Sequence, residues 1–332
     1  MGYITNVFLG IPQIYGILIC TLIVIIYSTV GGMRSVVFTD IIQFFVLSIG
    51  IPLTLIVGYF YAGGIEAIRD AVPATHFTFL GTGKTIFQFI ALFLTFLLGE
   101  TLVPPYVQRL FLAKDSSHTA KGTLWSGLFS IPFFAVTGLI GIIALTIKPD
   151  LDPNLSMPFV IKTVLPIGLR GLVIAGVISI VMSSADSFLN AAAVAFSHDV
   201  IEPLKSGEKN NNRQLLTVRI INLFVGILAV YFAISIKSIL DILIYSYNFW
   251  APIVLVPLAS AIIGVKPNAK NFFTGAIAGI AGVAVWNFIL NNPGGVDGLI
   301  IGIICNLIFF YGSVIAERVS YPKTVVTKLN IE

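Results

Sequence analysis

Ile180-Val181-Met182-Ser183-Ser184-Ala185-Asp186-Ser187-Phe188-Leu189-Asn190 stands between Gly176 and Ala191-Ala192-Ala193, inside an apolar run over about residues 171–196. At 1.5 Å per residue such a run crosses roughly 30 Å of hydrocarbon. Ionisable side chains are costly there and face a bundle interior or a water path. Positions 180, 183, 184 and 187 share one helical face. Ser183, Ser184 and Ser187, with main-chain carbonyls loosened at that face, would present several oxygens to one point, as the alkali-ion sites of transporters do. Asp186 would add negative charge along the same ion path. The same pattern also suits close packing of small residues, with serines bonding back to their own helix. Three serines, an Asp and an Asn within eight residues weigh toward the ion.

The rest of the chain has the same character. Of its 332 residues 57% are hydrophobic and only 10% charged, against about 25% charged in soluble domains, and mean hydropathy is +0.99. Lipid must cover most of this surface. Nine spans are expected, at about 13–30, 37–61, 86–107, 123–147, 171–196, 215–236, 240–264, 272–290 and 298–316. The reading is an all-α membrane protein, with residues 1–318 as a single transmembrane domain and 319–332 as a tail. The second and third connectors and the 148–170 segment have room for short interfacial helices. Leu165-Pro166-Ile167-Gly168 makes a tight entry to the fifth span, and 197–214 reads as a polar, flexible connector.

Charge sets orientation. Thirteen of the 19 Lys and Arg fall on one side of these spans, among them Arg34, Arg109, Lys205, Arg219 and Arg318, and six fall on the other. The positive-inside rule puts the thirteen, and the C-terminus, in the cytoplasm of a plasma or bacterial inner membrane. Met1 is then outside with no charge to hold it, from which an upstream segment is expected. The net charge of +4 is scattered through short loops, so nucleic acid is not expected as a partner. Cys20 and Cys305 lie in separate apolar runs and read as small buried hydrophobes. His76, His118 and His198 lie in polar connectors, so the spans hold no histidine to activate a serine. Neither an enzyme nor an organic cofactor is expected.

Three further polar places fall within spans. Asp40 follows Thr39, with Gln43 one turn on. It is either a carboxylate in a cation path or a charge that the helix N-terminus favours. Glu100 precedes Pro104-Pro105-Tyr106, where broken helix at membrane depth suits a cavity wall. Tyr245, Tyr247, Asn248 and Trp250 precede Pro252 and suit a pocket wall or an interfacial belt. Tyr106, Glu100, Tyr247 and Asn248 are the candidate solute-binding residues.

Tyr27-Ser28-Thr29-Val30-Gly31-Gly32-Met33-Arg34-Ser35, followed by Thr39-Asp40 and Gln43, resembles the Gly-Gly signature of the sodium:solute symporters. Met182-Ser183-Ser184-Ala185-Asp186-Ser187 resembles that family's sodium-binding helix. Gln108-Arg109 and Leu165-Pro166 with Gly168-Leu169-Arg170-Gly171 also fit. The resemblance implies a partial LeuT-type fold of inverted repeats that alternate access round a midplane site. The nine spans would be core helices four to ten plus two trailing helices. It implies that Ser183 and Ser184, with the carbonyl of Ile180, bind the coupling sodium ion, and that Asp40, Ser183 and Ser187 form a second cation site or exit path. Carbonyls of core helix one would complete the main site. The alternative to a working symporter is a truncated non-transporting remnant, or half of a split transporter needing an upstream-encoded N-terminal partner fragment. Ala185-Asp186 and Tyr106-Val107-Gln108-Arg109 resemble choline-transporter-like members, although the tryptophan expected there is replaced around Leu102-Val103. The solute implied is choline, betaine, an amino acid or similar, with Tyr106, Tyr245, Tyr247 and Trp250 as an aromatic cage.

Overall fold

A computed structural model describes residues 1–30, 33–78, 83, 85–100, 103–110, 113–204, 211–265 and 267–320, with 29–30, 33–39, 211–215 and 318–320 in backbone only. The described secondary structure is helical: α1 Gly2–Leu9, α2 Gln13–Val30, α3 Met33–Tyr61, α4 Gly64–Ala71, α5 Ile86–Glu100, α6 Pro104–Leu110, α7 Ser116–Ile147, α8 Ser156–Val164, α9 Ile167–Phe196, α10 Glu202–Leu204, α11 Asn211–Ser235, α12 Ile239–Ile262, α13 Ala269–Ala284 and α14 Leu299–Ser320. Among the described residues seven helices are long and apolar enough to cross a membrane. Two helix pairs, α1 with α2 and α5 with α6, bring the number to nine if each pair is one span. The chain is an integral, multi-pass membrane protein.

Several boundaries differ from the sequence reading. The first span is preceded by α1, which meets α2 at 118°. The turn needs Gly10 at φ 69°, a left-handed backbone that glycine adopts without penalty. The apolar count could not separate α1 from a loop because eight residues are too few to cross. Interfacial helices do form in the second connector and the 148–170 segment, as α4 and α8. Between α6 and α7 the connector holds no such helix among its described residues. Instead α7 begins early, where Asp115 caps it by accepting from the His118 amide at 2.8 Å; these bonds hold the Asp115 carboxyl below its usual range. The 197–214 connector is not a loop at its start. Ser197–Ile201 forms a π-helical turn that runs on into α10, so helix continues eight residues beyond the expected end. The Gly31-Gly32 pair, Thr101-Leu102 and the tail beyond Ser320 lie outside the described residues.

The chain divides into two compact units, Met1–Thr78 with Pro104–Ile239, and Phe79–Val103 with Leu240–Glu332. In the first, a buried apolar cluster joins Leu47 and Ile51 of α3 to Ile140 and Ile143 of α7, Val160 and Ile161 of α8, and Val173 and Ile174 of α9. Two glycines let α3 and α9 approach closely. A Cβ on Gly50 would lie 2.7 Å from Val173, and one on Gly176 would lie 2.8 Å from Val46. These pairs fix an antiparallel register in which each step down α3 is a step up α9. Extended toward the start of α3, that register carries Asp40 to Ser183.

The second unit rests on another small-residue seam. A Cβ on Gly279 of α13 would lie 2.2 Å from the Pro252 carbonyl of α12, and one on Gly275 would lie 2.5 Å from Asn306 Oδ1 of α14. Small residues at helix contacts are the usual way for membrane helices to associate. Pro257 removes the amide that would bond the Ile253 carbonyl, and Asn306 Nδ2 answers by donating to Ile253 O at 3.3 Å and Pro252 O at 2.6 Å. Gly279→Ala is predicted to lower stability by about 1–3 kcal/mol through overpacking. Gly122→Ala, where nothing lies within 4 Å, should not. Melting curves of the two purified variants in detergent check this; equal melting temperatures would contradict the seam.

Candidate functional site

α9 holds two polar clusters, and its side chains divide between them by angle. At about 100° per residue Ser183 and Ser187 lie within some 40° of each other, Asp186 stands about 60° to one side, and Ser184 about 100° to the other. Ser183 is 3% exposed and Asp186 1%, whereas Ser184 is exposed.

The first cluster joins three helices. Ser183 Oγ donates to Asp40 Oδ1, in a very close contact. Arg109 Nη2, in the last turn of α6, donates to Asp40 Oδ2 at 3.1 Å and to Ser187 Oγ at 2.9 Å. One carboxylate and two hydroxyls thus converge, an all-oxygen set of the kind a hard cation takes. Gln43, one turn along α3 from Asp40, has a buried amide oxygen with no hydrogen-bond partner, a further acceptor of the right chemistry. The Thr39 side chain lies outside the described residues.

The second cluster faces α2. Tyr27 donates from its hydroxyl to Asp186 Oδ2 at 3.0 Å, and Asn190 Nδ2 donates to Asp186 Oδ1 at 2.7 Å. Both oxygens of this buried carboxylate are therefore occupied, which is how a charge is retained in a low-dielectric bundle.

In the second unit Tyr247 donates to the Glu100 carboxylate. Its ring packs edge-on to Phe96 with centroids 5.8 Å apart, and a Cβ on Gly99 would lie 2.4 Å from that ring. Asn248 Nδ2 donates to Asp297 Oδ2 at 3.1 Å, while its own Oδ1 is buried without a partner.

Placement of the sequence candidates is therefore mixed. Asp40, Ser183 and Ser187 come together, and Glu100 meets Tyr247. Asn248 turns to Asp297, a residue the sequence reading did not single out. Ile180 is 38% exposed, and α9 is continuous α-helix over Ile167–Phe196. Loosened carbonyls on that face, expected from sequence, are not found; the irregular turn comes later, at Ser197–Ile201. Tyr245 and Tyr247 of the expected aromatic cage do not lie on one face. Tyr245 is exposed and Tyr247 buried, because residues two apart on a helix point about 200° apart. Tyr106, in the first unit, is 42% exposed. Arg109 and Tyr27 were missed as site residues. The signal available for Arg109 was a permanent cation at a helix end close to membrane depth, in a chain whose spans hold few carboxylates.

The first unit is thus a helical bundle that holds two carboxylates, Asp40 and Asp186, against hydroxyls of neighbouring helices. The model of the sodium:solute symporter family matches residues 2–279, and the chain belongs to that family. The sodium/sialic acid symporter SiaT of Proteus mirabilis is 26% identical over 328 residues, covering 92% of this chain and 62% of that protein. The sodium/glucose cotransporter of Vibrio parahaemolyticus is 25% identical, covering 64% of this chain and 45% of that one. The high-affinity choline transporter 1 of Caenorhabditis elegans is 24% identical, covering 88% and 53%. A solved structure, the substrate-bound outward-open state of a Na+-coupled sialic acid symporter, superposes with a TM-score of 0.75 at 22% identity, over 99% of this chain and 72% of that one. The fold is thus the LeuT-type fold in part, and the chain spans about half to two thirds of the length of the curated relatives it matches. Their near-equal identities do not favour the choline-transporter-like subgroup over the sugar carriers.

Tyr27→Phe and Asp186→Asn should each destabilise the purified protein, and the double variant by less than their sum. The coupling is expected at about 0.5–2 kcal/mol, read from a thermal double-mutant cycle in detergent. Strict additivity would show that the pair does not hold α2 to α9.

Proposed function

We propose that the chain carries out sodium-coupled symport of a small organic solute. The observation that carries this reading is the convergence of the Asp40 carboxylate with the Ser183 and Ser187 hydroxyls, with an unpartnered Gln43 oxygen one turn along α3. The carboxylate supplies the charge, Ser183 donates to it and keeps its lone pairs for a cation, and Ser187, which accepts one hydrogen bond from Arg109, keeps a second lone pair. Ser183 and Ser184, with the Ile180 carbonyl, are assigned to the main sodium position by family likeness; Asp40, Ser183 and Ser187 form the second. Asp186 lines the ion path beside them. Small organic solutes named for the relatives (sialic acid, glucose, choline) support a polar organic substrate, with choline, betaine or an amino acid as the candidates here. Tyr106, Glu100, Tyr247 and Asn248 are the residues assigned to it. The excess of Lys and Arg in one set of loops supports a plasma or bacterial inner membrane with the C-terminus in the cytoplasm.

Sodium entering at Asp40 neutralises the carboxylate, so the charge that crosses with the solute is carried by the ion and not by the protein. That is the physical basis of coupling: binding shifts the equilibrium only by the difference in affinity between the two access states. In cells or proteoliposomes, solute uptake should rise when sodium replaces potassium outside. Ser183→Ala and Asp40→Asn should each reduce that sodium stimulation by about tenfold or more, the scale of one lost charge-assisted contact. Sodium dependence unchanged in both variants would reject the assignment. Uptake driven by a proton gradient in sodium-free medium would instead identify the coupling ion as a proton, carried on Asp40 or Asp186.

A further inference from the structure

Arg109 enters the same cluster from a third helix. Its guanidinium is protonated at every pH a cell meets, and its side chain is 43% exposed against 27% for Asp40. Through one nitrogen, Nη2, it donates to Asp40 Oδ2 on α3 and to Ser187 Oγ on α9. The favourable field at the C-terminal end of a helix accounts for an arginine in the last turn of α6. It does not account for donation to two side chains on two other helices. This ion pair joins separate helices, whereas two others join His118 to Asp115 and His198 to Asp199, close in sequence.

Two of the four side-chain oxygens assigned above to the second cation position, Asp40 Oδ2 and Ser187 Oγ, therefore already face a positive charge. Asp40 carries one negative charge, and its Oδ1 is taken by Ser183. A sodium ion at the same oxygens would sit about 3–4 Å from the guanidinium, where like charges in a partly desolvated site repel strongly. The carboxylate has room for one cation at a time.

We propose that Arg109 is a tethered competitor for that cation. With sodium absent, the guanidinium neutralises Asp40 and pins the last turn of α6 to α3 and α9. Sodium displaces it and frees that turn. The inference rests on reading Asp40, Ser183 and Ser187 as a cation position, and it adds that occupancy there is linked to the attachment of α6. By reciprocity, whatever strengthens the attachment of α6 weakens sodium binding by the same factor. The arrangement also keeps Asp40 from standing as an unpaired charge in its partly buried position when no ion is bound.

The test is equilibrium binding of radioactive sodium to the full purified chain in detergent, with N-methylglucamine as the inert cation. Arg109→Gln should bind sodium about tenfold more tightly than the unmodified chain. Arg109→Lys should fall between the two, because a single ammonium cannot hold Asp40 and Ser187 in the same fixed geometry. Asp40→Asn should weaken binding, and in its presence Arg109→Gln should no longer change the affinity. A merely structural role for Arg109 would loosen binding, not tighten it, so sodium affinity equal to or weaker than the unmodified chain in both Arg109 variants overturns the proposal. If Arg109→Gln does not fold, judged by its melting temperature, Arg109→Lys decides alone: tighter binding supports competition, and unchanged or weaker binding rejects it. Sodium binding untouched by Asp40→Asn sinks the underlying site reading itself, a result distinguishable from failure of the Arg109 proposal by the behaviour of the aspartate variant.

Discussion

An ionised carboxylate inside a helical bundle has to be answered from more than one helix, and Asp40 is the case on which the first unit turns. Ser183 takes one oxygen and Arg109 the other, so α3, α6 and α9 are committed to a common point. None of these bonds is worth much alone: polar contacts between membrane helices average well under 2 kcal/mol. Their importance lies in asymmetry. Removing any one partner leaves a charge or a donor uncompensated in a medium that cannot hydrate it, so the three helices must keep their relative positions or exchange one cation for another.

Asp186 solves the same problem differently. It is more deeply buried than Asp40, and both its oxygens are satisfied by neutral donors, Tyr27 and Asn190. No positive group need approach it. The two carboxylates, on α3 and α9, thus have distinct physical characters: one is balanced by a mobile or tethered cation, the other by fixed dipoles. Only the first offers a place where an arriving ion changes the balance of charge.

Much of this was legible in the residues, and the reasons differ by element. The existence of spans at α7, α9 and α14 follows from long, mostly apolar runs, which report the hydrocarbon thickness. The pairing of Asp40 with the serine-rich helix came from the family resemblance; the residues alone left Asp40 open between a cation path and a charge favoured by a helix N-terminus. What escaped was directional. Ser184 differs from Ser183 by one residue and yet lies on an exposed flank, because a step of about 100° crosses the edge of a contact face that periodicity cannot locate. Tyr245 and Tyr247 look like one aromatic wall in sequence and point opposite ways for the same reason. Arg109 was counted as a loop charge, since orientation rules treat every arginine near a span end alike, and nothing local says that this one folds back onto a carboxylate 69 residues earlier. The extension of α9 through Ser197–Ile201 was hidden by composition: Ser-His-Asp reads as a connector, and a π-turn has no sequence period to betray it.

The close crossing of α3 over α9 works as a ruler. Val46 against Gly176 and Gly50 against Val173 set how far apart the two backbones run, and with it the gap between the oxygens of Asp40 and Ser183 two to three turns away. Alkali ions differ chiefly in radius, so with a cation held at those oxygens, as proposed, preference for one ion over another would depend partly on methyl groups that never touch it. A glycine here is a spacer of zero thickness, and a lineage could retune the site by changing the spacer while leaving every ligand in place.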